Sequence, residues 1–274
     1  MKIKQLILSV ILFLFAITVD AQEMLIIESS HLISKDTIYC FVPDNYSKEK
    51  AYPLVYLLHG YSTNSKQWTN TIDCNSMANK YEMIIVCPDG FTSFYVNSIN
   101  NNQSQYENFF FEELAPRIEN EFNVDKKNIF ISGLSMGGYG ALHFFITYSD
   151  FFNSAGSTSG ALTIDDKQSR ELSYSFWGNN RLNDDLKQIF GENTENWNKY
   201  DIINLLQAKP DFKRPFILDC GTEDILYSEN IKLKKAAYSL GIPMTFISSP
   251  GRHNTKYWHN SIEHHFIFFK QHLR

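Results

Sequence analysis

The clearest chemical signal lies in Ile129-Phe130-Ile131-Ser132-Gly133-Leu134-Ser135-Met136-Gly137-Gly138-Tyr139-Gly140-Ala141-Leu142, which contains G-x-S-x-G. An apolar strand-like run precedes the motif and a helical pattern follows it. A serine at a very tight strand-to-helix turn has its hydroxyl pushed out of the sheet. The backbone near residues 133 and 137 then crowds its neighbours, so glycine is favoured at both. A helix starting near Met136 would set free N–H groups and a partial positive charge beside Ser135. Both favour a developing oxyanion.

A serine hydroxyl is a poor nucleophile without a base, and the base needs an orienting carboxylate. In sheets of this kind the partners follow in the order serine, acid, histidine. The run Phe216-Ile217-Leu218-Asp219-Cys220-Gly221-Thr222-Glu223-Asp224 supplies the acid. Asp224, beyond Gly221, is the favoured position, and Glu223 and Asp219 remain alternatives. Among eight histidines, only His59 and His253 sit just after core-type strands. His59 precedes Ser135, the wrong order for the base, so His253 is the candidate. His259, His264, His265 and His272 fall on a terminal helix pattern, where solvated or packing roles are expected. His59-Gly60-Tyr61 follows the first long central run, the place that supplies the second oxyanion donor. The expected donors are the backbone N–H groups of Tyr61 and Met136.

The elements that must carry these residues are legible as alternating runs. Met24–Ile33 and Thr37–Val42 read as an opening pair of strands. Leu54–Leu58, Met83–Cys87, Asn128–Ser132, Phe216–Leu218 and Met244–Ser248 read as further strands. Continuous apolar runs of this length suit parallel strands covered on both faces. Helical patterns fall at Tyr106–Glu121, Met136–Thr147, Asp201–Leu206, Ser228–Leu240 and His259–His272. The alternation predicts one α/β domain over residues 22–274, with a mainly parallel central sheet and helices on both faces. Two polar, aromatic-containing stretches, Gly90–Ser104 and Thr163–Asn198, read as long excursions from the carboxyl edge that wall or partly cover a pocket. Tyr95 and Trp177 are the candidate substrate-binding residues there. Phe91, Phe94 and Trp197 share their character, and packing beneath the loops is the alternative for all five.

The chain has 274 residues, 43% hydrophobic and 20% charged, with a formal net charge of -5. No basic stripe marks a nucleic-acid surface. Residues 1–21 read as a signal peptide: a basic start at Lys2 and Lys4, an apolar run over Leu6–Val19, and small residues at Val19 and Ala21. The run is shorter than the ~20 residues a spanning helix needs, and an uncleaved membrane anchor is the alternative reading. Cleavage after Ala21 would leave a periplasmic or secreted protein with no stable membrane insertion. The four cysteines, Cys40, Cys74, Cys87 and Cys220, show no metal or redox spacing. Export leaves a disulfide open, and small buried hydrophobes are the other reading.

With these residues in view, the chain resembles the esterase group of α/β-hydrolases that includes S-formylglutathione hydrolases, tributyrin-type esterases, and feruloyl and acetyl-xylan esterases. The resemblance rests on Tyr56–Tyr61, Val86–Gly90, Tyr106–Phe110 leading into Glu112–Pro116, Gly133–Ala141, Cys220–Asp224, and Gly251-Arg252-His253 followed by Trp258. It implies the α/β-hydrolase fold, a catalytic set of Ser135, Asp224 and His253, and no metal or organic cofactor. Arg252 and Asn254 flank the histidine where many members carry a second glycine or an aspartate. The leader argues against the cytosolic, formaldehyde-detoxifying members. A small-molecule ester or an acylated polysaccharide is the expected substrate. Acyl transfer to a sugar acceptor and a non-catalytic binding module of the same fold are the rival readings.

Overall fold

The computed structural model describes residues 22–274, and the expected signal peptide at 1–21 lies outside them. Eight strands form one sheet: β1 (Gln22–Ile27), β2 (Asp36–Phe41), β3 (Tyr52–Leu58), β4 (Ile84–Cys87), β5 (Val124–Leu134), β6 (Ser154–Thr158), β7 (Phe216–Gly221) and β8 (Met244–Ser249). Their spatial order is β1-β2-β4-β3-β5-β6-β7-β8. β1 pairs antiparallel with β2, and β2 with β4, while every later pairing is parallel. The carboxyl ends of β3 through β8 therefore open on one edge. Ligand sites of such sheets form there.

Among the described residues ten α-helices accompany the strands: α1 (Lys66–Thr71), α2 (Cys74–Tyr81), α3 (Tyr106–Asn108), α4 (Ala115–Glu121), α5 (Met136–Thr147), α6 (Asp166–Trp177), α7 (Arg181–Phe190), α8 (Ile202–Gln207), α9 (Tyr227–Ser239) and α10 (Thr255–Gln271). Alternate residues of each strand face opposite layers. Leu54, Tyr56 and Leu58 pack with residues of α5, α7, α8 and α9. Val55 and Leu57 pack instead against Trp68 of α1, Ala78 and Tyr81 of α2, and Phe266 and Phe269 of α10. Leu54 through Leu58 are all fully buried, because both faces are covered. The sheet thus lies between two helical layers, as the α/β-hydrolase reading requires.

Three elements depart from the sequence reading. The pattern at Tyr106–Glu121 is helical throughout, but Phe109–Leu114 forms a widened π-helical turn between α3 and α4. Pro116 explains it, since it offers no N–H to the carbonyl four residues back. The Thr163–Asn198 excursion is not irregular: it holds α6, α7 and a 3₁₀ turn at Thr194–Tyr200. Asp165 caps α6 by accepting from the Gln168 N–H, and Gly178 ends it at φ 67. β6 is a central strand built only of small residues, Ser154-Ala155-Gly156-Ser157-Thr158. A Cβ on Gly156 would lie 2.3 Å from the His265 Nδ1. The four cysteines are buried and unbridged. Among the described residues no helix is long and apolar enough to cross a membrane.

Candidate active site

β5 ends at Leu134 and α5 begins at Met136, with Ser135 between them at φ 54, ψ -118. A non-glycine residue held at positive φ stores roughly 1–3 kcal/mol of strain. The surroundings enforce it. A Cβ on Gly133 would lie 2.2 Å from the Gly137 carbonyl oxygen, and one on Gly137 would lie 2.2 Å from that of Leu58. Only glycine lets the strand, the turn and the helix meet so closely. The Ser135 N–H donates to the Thr158 carbonyl at 3.1 Å, and its own carbonyl accepts from the Ala161 N–H at 3.0 Å. The turn is thereby tied to the chain around β6.

The far end of the sequence returns to this corner. His253 Nε2 lies 3.0 Å from Ser135 Oγ, and His253 Nδ1 lies 3.1 Å from each oxygen of Asp224. The Asp224 side chain is fully buried and that of His253 is 12% exposed. Asp224 Oδ1 also accepts from the Leu226 N–H at 2.8 Å, which holds the carboxylate in one orientation. The acid loop and the histidine loop are zipped together. The Glu223 N–H donates to the Gly251 carbonyl at 2.9 Å, and the Thr222 N–H to that of Ser249 at 3.0 Å. Trp258 meets the imidazole edge-on, with ring centres 5.1 Å apart, and Phe176 lies 5.4 Å away on another side.

The two alternative acids are engaged elsewhere. Exposed Glu223 pairs with Arg252 at 3.0 Å. Asp219 accepts from Thr158 Oγ1 at 2.7 Å through one oxygen, and its other lies 2.5 Å from His265 Nε2. His265 Nδ1 in turn lies 2.7 Å from Ser132 Oγ. Ser132, His265 and Asp219 thus form a second serine–histidine–aspartate row, in which all three residues are fully buried. Sealed from any substrate, that row is a strut joining β5, β7 and α10. Sequence position leaves a solvated or a packing role open for His265; the structure gives it the packing role and these partners.

His59 accepts the Gly90 N–H at Nε2, 2.7 Å away. Nε2 also faces Asp89 Oδ1 at 3.1 Å, and Nδ1 lies 2.8 Å from the Gly60 carbonyl oxygen. This fixes the loop after β3, where the Gly60 position abuts Ser135: a Cβ there would lie 3.4 Å from that of the serine. Among the described residues neither the Tyr61 nor the Met136 backbone N–H has a protein acceptor. Trp177 reaches the site wall, its ring 5.1 Å from Tyr61 and 5.3 Å from Phe176. Tyr95 does not reach it, against the sequence expectation. Its fully buried ring is wedged between Gly90 and Gly140, and its hydroxyl donates to the His59 carbonyl at 2.9 Å. Trp197 is also fully buried, donating to the Gly191 carbonyl at 2.8 Å. No cluster of three metal-ligating side chains occurs among the described residues.

Glu229 of α9 supports the loop after β6. Its Oε2 accepts the N–H groups of Leu162 and Thr163 at 3.1 and 3.0 Å, next to the Ala161 amide that binds Ser135. Burial pushes its carboxyl up to about 8, against those hydrogen bonds, which pull the other way. The fold therefore favours the protonated acid. Below the ordinary carboxyl pKa the residue is neutral in folded and unfolded chains alike, and it imposes no penalty. Between about 4.5 and 8 the unfolded chain releases the proton more readily, so stability falls as pH rises. Glu229→Gln keeps an acceptor for the two amides and removes the titration. Its melting temperature is expected to match wild type near the acid end of that window and exceed it above the alkaline end. Parallel melting curves across the range would contradict this.

The family model described as "Putative esterase" matches residues 29–269. The chain belongs to this esterase family. An acetyl esterase of Caldicellulosiruptor saccharolyticus is 28% identical to this esterase over 225 residues, 77% of this chain and 81% of that one. A solved ferulic acid esterase superposes with TM-score 0.76 at 26% identity, covering 92% of this chain and 98% of that one. The Staphylococcus aureus serine hydrolase FphF superposes with TM-score 0.77 at 21% identity, covering 91% and 98%. The esterase is thus a carboxylic ester hydrolase of α/β-hydrolase fold.

Proposed function

We propose that this esterase is exported and cleaves short acyl esters, of small alcohols or of acylated glycans, with Ser135 as nucleophile, His253 as general base and Asp224 as the carboxylate that orients it. The observation that carries the reading is the unbroken row of contacts from Asp224 through His253 to Ser135 Oγ, at 3.1 and 3.0 Å, ending on a serine held in a strained turn.

In this reading His253 takes the Ser135 proton at Nε2 as Oγ bonds to the ester carbonyl carbon. The carbonyl oxygen becomes an oxyanion held by the unpartnered Tyr61 and Met136 N–H groups, with the positive end of α5 behind them. Asp224 keeps the Nδ1 proton in place and stabilises the imidazolium. The tetrahedral adduct collapses, and the alcohol leaves with the proton from Nε2. Water, deprotonated by the same nitrogen, attacks the acyl carbon, and Nε2 returns that proton to Ser135 Oγ as the acid leaves.

The printed names of the relatives, an acetyl esterase and a ferulic acid esterase, support acyl groups of that range. The aromatic wall of Tyr61, Phe176 and Trp177 beside His253 suits a sugar ring or an aryl acyl group. Purified protein is expected to release alcohol from p-nitrophenyl acetate and to deacylate at least one of acetylated xylan, methyl ferulate and a short aliphatic ester. Protein recovered from the periplasm or medium should begin at Gln22. Absence of turnover on every ester would contradict the assignment, and a cytosolic protein retaining residues 1–21 would contradict export.

A further inference from the structure

Tyr61 does more in this structure than offer an amide. Its hydroxyl donates to Asp185 Oδ2 at 2.5 Å, across 124 residues of sequence. The Arg181 guanidinium lies over the Tyr61 ring at 5.3 Å and over the Trp177 ring at 5.4 Å. Trp177 meets the Tyr61 ring at 5.1 Å, and Phe94 approaches it at 6.3 Å. Asp185 and Arg181 sit one turn apart on α7, while Trp177 closes α6. Burial raises the Tyr61 phenol above its ordinary value, and the Asp185 carboxylate raises it further against the opposing pull of Arg181. The hydroxyl therefore stays a donor throughout the neutral range.

α7 is itself well anchored. Leu182, Leu186, Ile189 and Phe190 are buried against the layer that covers the sheet. The Leu182 N–H donates to Ser173 Oγ at 3.0 Å, joining α7 to α6. A short hydrogen bond to a carboxylate from a fixed helix is a charge-assisted restraint, stronger than a neutral one. The loop is pinned on either side of Tyr61, where the Gly60 N–H donates to Gln67 Oε1 at 2.7 Å and Thr63 Oγ1 lies 2.8 Å from the Gly60 carbonyl oxygen, but these bonds leave the Tyr61 residue itself to its side chain. Ser62, the next residue, sits at φ 64, and Tyr61 makes no backbone hydrogen bond through its N–H.

We propose that Asp185, with Arg181, is a positioning residue for the oxyanion site: α7 grips the Tyr61 side chain and so sets where the Tyr61 N–H points. The inference rests on the reading above, in which that amide receives the oxyanion. On this view the α6–α7 segment does not merely cover a pocket. It completes the preorganisation on which electrostatic stabilisation depends, where small displacements have large effects on rate.

The test compares Tyr61→Phe, Asp185→Ala and Asp185→Asn with wild type and Ser135→Ala on p-nitrophenyl acetate. A parallel assay measures inhibition by a short-chain trifluoromethyl ketone, whose serine adduct carries a tetrahedral oxyanion. Tyr61→Phe and Asp185→Ala are expected to lower kcat about tenfold with KM little changed, below the ~10²–10³ cost of deleting a donor. Inhibition by the ketone should weaken by the same factor. Asp185→Asn, which keeps an acceptor oxygen, should stay within about threefold of wild type. Tyr61→Phe and Asp185→Ala remove the same bond, so the double variant should be no worse than either. Unchanged kcat in both single variants, or a rise in KM alone, would overturn the positioning role while leaving Ser135→Ala inactive. Activity in Ser135→Ala would instead overturn the underlying reading.

Discussion

Ser135→Ala is expected to lower kcat by about 10⁴-fold or more, the scale seen when a triad nucleophile is removed, with any residue of activity owed to binding and oxyanion donors alone. The fold should survive, because Ser135 Oγ has one partner, His253, and the turn is held by backbone bonds to Thr158 and Ala161. Alanine keeps a Cβ at φ 54 and so keeps the strain. Ser135→Gly removes both the hydroxyl and the strain, and should be equally inactive yet melt above Ser135→Ala. Relief of ~1 kcal/mol corresponds to about 2–4 °C for a domain of this size. Retained activity in either variant, measured on protein freed of host esterases, would contradict the role of the hydroxyl. A lower melting temperature for the glycine variant would contradict the strain argument.

Asp224→Asn is expected to be nearly as damaging, about 10⁴-fold in kcat at neutral pH, without loss of fold. The geometry says which way the amide must turn. The Leu226 N–H donates to Oδ1 at 2.8 Å, so that oxygen remains an acceptor. The amide nitrogen then occupies the Oδ2 position, 3.1 Å from His253 Nδ1. Nδ1 then faces the amide nitrogen and Oδ1 at the same 3.1 Å, and a shift of the ring proton to Nε2 relieves the donor–donor contact. An imidazole protonated at Nε2 cannot take the serine proton. Steady-state kinetics with a melting curve checks this. A variant within tenfold of wild type would mean that the carboxylate is not setting the tautomer.

The sequence made the strands of the sheet's centre plain where their residues were large and apolar, as in Leu54–Leu58 and Met83–Cys87. It hid β6, because Ser154, Gly156, Ser157 and Thr158 must be small to admit His265 and the turn at Ser135. Burial there follows from tertiary crowding and leaves no hydrophobic pattern to read. α7 was legible in principle, for Leu182, Leu186, Ile189 and Phe190 repeat at helical spacing. α6 was not, since the residues it buries fully are Ser169 and Ser173, which make hydrogen bonds to Asp166, Asn183 and Leu182.

The candidate site followed the same division. The glycines at 133 and 137 and the chain order of Ser135, Asp224 and His253 are local signals, and the structure brings the three side chains together. In the sequence only loop position separates Asp224 from Asp219, whereas in the structure His265 occupies Asp219. Tyr95 shows the limit of reading aromatic content as a pocket wall. A tyrosine between glycines can as readily be a spacer, and the flanking Gly90 and Gly140 reveal that only once they are seen on either side of its ring. The bond between Tyr61 and Asp185 joins two polar stretches with no shared pattern, so no periodicity could have announced it.

The most direct measurement is to trap the acyl-enzyme. Rapid mixing with p-nitrophenyl acetate, acid quench and peptide mass mapping should find one acetyl group, on the peptide carrying Ser135, appearing with the burst of alcohol. The label should be absent from Ser135→Ala. An acetyl group on any other side chain at the burst rate, or full turnover with Ser135 unlabelled, would contradict the account.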